Sequence, residues 1–202
     1  MDSLESGIGG EILSFWEATQ PFVVVGYGQS IEREVHVDRC EVCRFPIIRR
    51  CSGGGAVVQG PGCLNYSLIL RIAEGGPLAG VTSTNAWIME RQRRAMSRLL
   101  PGSVTVAGFT DLVWSTNSED MRGPEVGRKF SGNAQRRKRL ALLFHGTILH
   151  HFDLSLMEEL LKMPSAQPEY RKNRPHTEFV ANTNLDPTAI RAEIAAEWQA
   201  VE

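Results

Sequence analysis

The sequence lacks the features that would commit it to a membrane, a nucleic acid or a metal framework. Its apolar runs, such as residues 22–25 and 68–70, are strand-length, far below the roughly 20 residues of a membrane-spanning helix. No charged segment followed by an apolar stretch opens the chain, so secretion is not expected, the cytoplasm is the expected compartment, and a membrane is not an expected partner. Charge is nearly balanced, with 22 Lys and Arg against 23 Asp and Glu, which leaves no global field to draw nucleic acid. Cysteine is sparse: four residues, at 40, 43, 51 and 63. Cys40 and Cys43 form a CxxC, which could be half a zinc site or a redox pair. However, no second CxxC follows, no histidine pair stands at finger-like spacing, and the Trp and Pro context of a redox centre is missing. These thiols read as buried or incidental. Repeats and low-complexity segments are missing too, and the 202 residues are 42% hydrophobic. One domain, 1–202, with a full core is the expectation.

Two nucleotide fingerprints are also missing. A G-x-G-x-x-G beginning at Gly53 would need glycine where Val58 stands, and residues 123–129 do not satisfy G-x-x-x-x-G-K-[ST]. A bound nucleotide would need another scheme.

The pattern of what remains predicts strands in the middle and helices around them. Phe22–Val25 reads as a buried strand ended by Gly26-Tyr27-Gly28, residues 35–43 as a short helix, and residues 45–50 as a second strand. Residues 52–55 are a glycine-rich turn. Residues 56–59 and 64–71 are expected to form a hairpin through Gly60-Pro61-Gly62. Ser83 or Thr84 is expected to cap a helix to about Leu100 that buries Ile88, Ala95, Met96 and Leu99. Strands follow at 104–107, 111–114, 129–135 and 140–149, with a polar loop at 115–127 and a basic tip at 136–139. That tip is expected to be solvated, with docking of an acidic carrier-protein surface as a further hypothesis. Residues 154–161 and a segment opened by Asp186-Pro187 read as helices. The expected class is α+β, a mostly antiparallel β-sheet with flanking helices.

Chemistry concentrates in three segments. In Arg49-Arg50-Cys51-Ser52-Gly53-Gly54-Gly55-Ala56-Val57-Val58-Gln59, three successive glycines cost backbone entropy and pack nothing. Such a cost persists where a ligand or another backbone comes very close. Exposed amides there can bind an anion, with arginine charge alongside; the alternative is a tight hairpin turn, which needs at most two glycines. In the second segment, Lys129, Ser131 and Asn133 alternate and should share one strand face, either a cationic binding face or a solvated one. The third holds His145-Gly146-Thr147 and then His150-His151. Adjacent histidines on a strand point to opposite sides, so no metal is expected there.

Residues 49–67, RRCSGGGAVVQGPGCLNYS, resemble the signature of the lipoate–protein ligase A family. That signature is two arginines, a variable position, Ser or Thr, a glycine triplet, Ala-Val, usually a histidine, then a glycine-containing turn. GRKFSGNAQ at 127–135 and FHGTIL at 144–149 are similar to the family's second and third motifs, in the same order. The resemblance implies a biotin/lipoate ligase-like fold and an ATP-dependent reaction. An acid such as lipoate would be joined to AMP with loss of pyrophosphate. A lysine on a lipoyl domain of a 2-oxoacid dehydrogenase E2 subunit, or on the glycine-cleavage H protein, would then attack the mixed anhydride.

By motif position the resemblance places Arg50, Ser52, Gly53, Gly54, Gly55, Ala56, Val57 and Gln59 at the acyl-adenylate. Lys129 takes the place of the family's lysine that contacts the phosphate or acyl carbonyl. Asn133, Ala134, His145 and Gly146 are second-rank candidates, and Asp111 is a candidate contact for Mg²⁺ or phosphate. Three departures stand out. Gln59 replaces the usual histidine. The chain opens near the middle of the family's first helix. Nothing after Ser165 resembles the family's small accessory domain, which implies a separate accessory protein or a partial reaction. Two alternatives stay open: an octanoyl transferase working through a cysteine thioester, and a non-catalytic carrier of lipoate or lipoyl-AMP. A biotin ligase fits less well, because its Gly-Arg-Gly-Arg-type loop is missing.

Overall fold

A computed structural model describes residues 1–7, 9–116 and 127–200; most of the loop expected at 115–127 therefore lies outside the described residues. The elements in chain order are α1 (Asp2–Glu5), β1 (Ile12–Trp16), β2 (Phe22–Val25), α2 (Ile31–Glu34), α3 (Val37–Cys43), β3 (Ile47–Arg49), β4 (Val57–Gln59), β5 (Cys63–Arg71) and α4 (Val81–Leu99). They continue with β6 (Ser103–Ala107), β7 (Asp111–Ser115), β8 (Arg128–Arg137), β9 (Ala141–Leu149), α5 (Ser155–Leu160), a 3-10 turn (Glu169–Arg171), α6 (His176–Phe179) and α7 (Pro187–Glu197). Six strands form one antiparallel sheet in the order β1-β5-β9-β8-β7-β6. A smaller sheet, β3-β2-β4, carries one parallel and one antiparallel pairing. The α+β expectation holds.

The large sheet is covered on both faces, and the period-2 alternation of its central strands sorts their side chains. Leu64, Tyr66 and Leu68 of β5 join Leu142, Phe144 and Ile148 of β9 in a core with Ile88, Met89 and Met96 of α4 and Ile190 and Ile194 of α7. Arg98 ties the two helices together through Glu193 at 2.6 Å and Glu197 at 3.0 Å. On the other face, Leu149 and Val113 pack with Val23, Val25 and Val58 of the small sheet and with Met157, Leu160 and Phe179. The site lies on this second side.

Four expectations are corrected. β4 and β5 are not a hairpin: β4 pairs with β2, while β5 pairs with β1 and β9. Gly60-Pro61-Gly62 is a crossover between sheets, wedged so tightly that a Cβ at Gly62 would lie 2.3 Å from the backbone of His151 and Phe152. The long helix starts at Val81 with Gly80 as its cap; Ser83 folds back to accept from the Gly80 amide at 3.2 Å, and Thr84 is buried. The basic tip is largely committed. Arg136 donates to the Cys51 carbonyl at 2.7 Å, Arg137 to the Leu78 carbonyl at 2.6 Å, and Lys138 pairs with Asp2. Finally, His150 and His151 lie beyond β9, and their rings meet at an Nδ1–Nδ1 distance of 3.3 Å. The edge strand β1 was not foreseen, because both of its faces carry large apolar residues and the alternation is hidden.

Candidate functional site

Residues 50–55 form a loop between β3 and β4 that is held from several directions. The Arg50 guanidinium donates through Nε and Nη2 to the Gly53 carbonyl, at 3.0 and 2.7 Å, and through Nη2 to the Gly55 carbonyl at 2.8 Å. Those bonds turn the loop's carbonyls toward Arg50. Among the described residues no protein acceptor takes the amide hydrogens of Gly53, Gly54 and Gly55. Gly54 has φ of +92°, a left-handed conformation that favours glycine, and a Cβ there would also meet Arg50 Nη2 at 2.7 Å. Gly26 lies directly against it, where a Cβ would stand 1.9 Å from the Gly54 carbonyl oxygen. Arg49 in turn holds the adjoining turn, donating through Nη1 to the carbonyls of Gly26, Tyr27 and Gln29 at 2.7–3.1 Å. Both arginines of the motif thus brace backbone, and the loop presents free amides in a fixed shape, as an anion-binding loop requires.

The loop is also pinned to the large sheet. Ser52, 2% exposed, lies 2.6 Å from His145 Nε2 on β9, and Arg136 on β8 holds the Cys51 carbonyl. Ala134 pairs with His145 across the strands. Burial, and secondarily the Arg50 charge, hold the His145 pKa down to about 4, so the ring is neutral near pH 7. With no carboxylate on its second nitrogen among the described residues and so low a basicity, His145 does not make Ser52 a triad-type nucleophile. It is a neutral anchor.

This anchor carries a pH prediction. An unfolded histidine titrates near 6.5, so between pH 6.5 and 4 the unfolded chain binds a proton that the native state refuses. Stability should therefore fall through that window by about 3 kcal/mol on this account alone and level off below it. Urea unfolding at pH 7 and pH 4.5 should show a smaller acid loss for His145→Gln than for the wild type; equal losses would remove His145 as the cause.

Lys129 sits at the start of β8, where one extra residue, Phe130, bulges against β7: Leu112 pairs with Ser131 but Val113 with Lys129. The bulge breaks the expected alternation. Lys129 reaches over Gly132, whose absent Cβ would stand 2.8 Å from its Cε and Nζ. Asn133 points to the opposite, helix-covered side. There it accepts from the Tyr66 hydroxyl at 2.6 Å and donates to the Thr110 carbonyl at 2.7 Å. Lys129 therefore leaves the face that Ser131 and Asn133 still share, where Asn133 Nδ2 donates to Ser131 Oγ at 3.3 Å. Gly146 faces the same way as Asn133, whose Oδ1 fills the space beside it. Of the sequence candidates, Asn133 and Gly146 are thus separated from the others.

Lys129 Nζ is 2.8 Å from Asp111 Oδ1, and Asp111 Oδ2 accepts from the Tyr170 hydroxyl at 2.6 Å. Burial and the neighbouring Asp111 charge push the Tyr170 pKa up, which keeps it a donor. Asp111 thus stands beside the lysine, with one oxygen on the Lys129 ammonium and the other on the Tyr170 hydroxyl.

A cavity of about 130 Å³ runs from this lysine between the two sheets. Val57, Val58, Leu149, Met157, Leu161 and Phe179 give it apolar walls, and Ala56 and Val57 continue it to the glycine loop. Gln59 closes one polar side, but its own groups are spent. Its Nε2 donates to Thr147 Oγ1 at 2.7 Å and its Oε1 accepts from Asn65 at 2.8 Å, while Thr147 donates to Asn65 at 2.6 Å. Where the resemblance expects an imidazole, this chain has a self-satisfied amide ring. Tyr170, Arg171, His176 and Phe179 were missed by sequence reasoning. The signal available was Tyr-Arg-Lys-Asn-Arg-Pro-His at 170–176, four cationic or titratable side chains behind one aromatic in the stretch between the two expected helices. Among the described residues no cysteine lines the cavity. Burial pushes the Cys63 thiol up to about 12 and raises that of Cys40.

Residues 1–187 match the family described as the lipoyl protein ligase A/B catalytic domain. The chain is 27% identical over 168 residues to lipoate-protein ligase A subunit 1 of Thermoplasma acidophilum, covering 79% of this chain and 59% of that protein. It is also 27% identical to octanoyltransferase LipM of Carboxydothermus hydrogenoformans, covering 81% and 62%. It thus spans about three fifths of the length of these curated relatives. In structure it superposes on a bi-partite lipoate protein ligase of Thermoplasma acidophilum, studied with its E2 lipoyl domain. The TM-score is 0.77 at 22% identity, covering 98% of this chain and 74% of that one. A lipoate-protein ligase A bound with ATP gives a TM-score of 0.71 at 24% identity, covering 95% and 72%. These likenesses show the fold.

Proposed function

The chain belongs to the lipoyl protein ligase A/B catalytic-domain family, and from that premise we propose that it activates lipoate, or a similar medium-chain acid, with ATP and transfers the acyl group to a lysine of a lipoyl-carrier domain. The observation that carries this reading is the apolar cavity that runs from Lys129 to a glycine loop with unsatisfied amides. The apolar part of the cavity suits an alkyl chain, a cation suits the carboxylate at its end, and free amides suit a phosphate.

In the first step the carboxylate attacks the nucleotide's α-phosphorus and pyrophosphate leaves, forming acyl-AMP. In the second, the carrier lysine's amine attacks the acyl carbonyl, AMP leaves, and an amide forms with loss of the amine proton. Lys129 would neutralise charge on the carboxylate and phosphate oxygens, and the braced loop would offer donors at no reorganisation cost. Positioning supplies the rest, so no nucleophilic side chain is required. Magnesium enters with the nucleotide as substrate, and none of these steps is assigned to it. Two of the relatives, a ligase subunit and a bi-partite ligase studied with its E2 lipoyl domain, support a lipoyl domain as acceptor and a separate accessory subunit as partner.

Octanoyl transfer from a carrier-protein thioester is the second reading, since some relatives are named octanoyltransferases. Through a cysteine it would need a thiolate at the acyl group, and the cavity walls hold no cysteine among the described residues. A mass shift of an apo lipoyl domain distinguishes the two. Lipoate with Mg·ATP should modify the domain and octanoyl-carrier protein should not; the reverse pattern would remove the ligase reading.

A further inference from the structure

A buried charge needs a counter-charge, because removing it from water is otherwise costly. Arg171 is 5% exposed and lines the cavity, yet no carboxylate lies within ion-pair distance among the described residues. Its Nε donates to the Arg174 carbonyl at 3.1 Å, and among the described residues its Nη2 reaches only the Met163 sulfur, at 3.6 Å, a weak acceptor. Glu158 acts on it electrostatically but lies beyond ion-pair distance, and one of its oxygens accepts from the Thr177 amide at 3.0 Å.

The surroundings aim this charge at a ligand. The Arg171 guanidinium lies 4.7 Å over the Phe179 ring, and Lys129 Nζ lies 6.0 Å from the same ring's centre. Two cavity-lining cations thus flank one aromatic wall, and only Lys129 has a fixed carboxylate partner, Asp111. Arg174, also near that ring, spends its donors on the carbonyls of Gly127, Tyr170 and Arg171 and does not line the cavity. His176 lines it too, but burial and then the Arg171 charge lower its pKa, so it adds no further charge near pH 7. A planar guanidinium held against a ring offers a two-pronged donor matched to a pair of oxyanion oxygens.

We propose that Arg171 is a second anion-binding cation of this cavity, taking a carboxylate or phosphate oxygen pair of the ligand that Lys129 also faces. The assignment rests on the cavity being the acyl-adenylate site and names a residue of that site which the sequence motifs do not include.

Calorimetric titration tests it with octanoate alone and, separately, with ATP alone, into wild type, Arg171→Met and Arg171→Lys. Arg171→Met should weaken one probe by roughly tenfold or more, and Arg171→Lys should recover part of the loss. Melting temperature should not fall in Arg171→Met, because an apolar stem still covers Phe179 and an uncompensated charge is gone. Weakened octanoate assigns the oxygens to the acid; weakened ATP assigns them to the nucleotide. Equal affinities in wild type and Arg171→Met for both probes, or no binding of either by the wild type, overturn the proposal. If Arg171→Met does not fold, unchanged affinity of Arg171→Lys for both probes overturns it. Neither titration reads turnover, so failure of the ligase reading is a separate result.

Discussion

Lys129→Met should abolish acyl-adenylate formation, lowering kcat/KM by roughly a hundredfold or more, while the protein stays folded. Lys129 is a cation aimed into an apolar cavity, where a charge interacts far more strongly than in water. The bulge at Phe130 and the contact with Gly132 fix its direction, and the carboxylate of Asp111, itself held by Tyr170, fixes its ammonium. Methionine keeps the stem against Phe179 and removes only the charge. Asp111 keeps its Tyr170 donor, so the expected loss of stability is about 1 kcal/mol, since the pair is only partly buried. Pyrophosphate release and thermal melting, measured on one preparation, separate the two effects. A variant that melts like the wild type and turns over like it would remove Lys129 from the site.

Gly146→Ala should instead destabilise the fold, by roughly 3–5 kcal/mol. A Cβ at this position would stand 1.6 Å from Asn133 Oδ1 and 2.9 Å from a Tyr66 ring carbon. Asn133 cannot give way cheaply, because it is held between the Tyr66 hydroxyl and the Thr110 carbonyl. Burial raises the Tyr66 pKa and keeps it protonated, so displacing Asn133 strands a buried hydroxyl. β9 cannot retreat either, since β5 and β8 clamp it on both edges. Gly53→Ala is the matched control: its added Cβ meets nothing within 4 Å. Urea unfolding should place Gly146→Ala far below wild type and Gly53→Ala within about 1 kcal/mol of it. Equal midpoints for the two variants would contradict this packing account.

The two alanine variants also mark what was legible in the sequence. The glycine triplet could be read because three glycines in a row serve no packing purpose, and the loop they form is braced by the arginines beside them. Most strands could be read because each carries its own alternation or apolar run. Pairing could not. Residues 56–59 and 64–71 looked like a hairpin since only their short connection is visible locally, but their partners, β2 for one and β1 and β9 for the other, are distant in sequence. The bulge at Phe130 was equally hidden: one inserted residue reverses the facing of everything after it, so Lys129 and Asn133 part company despite their even spacing. Arg171 and His176 escaped notice because hydropathy places such residues outside, and only the fold reveals that they are buried against a cavity.

The most direct measurement is to incubate the purified protein with lipoate and Mg·ATP, desalt it rapidly, and identify what remains bound by mass spectrometry while counting pyrophosphate released. The account predicts lipoate-dependent pyrophosphate release and lipoyl-AMP retained on the protein. Intact ATP, no retained adenylate, and acyl transfer only from octanoyl-carrier protein would contradict it.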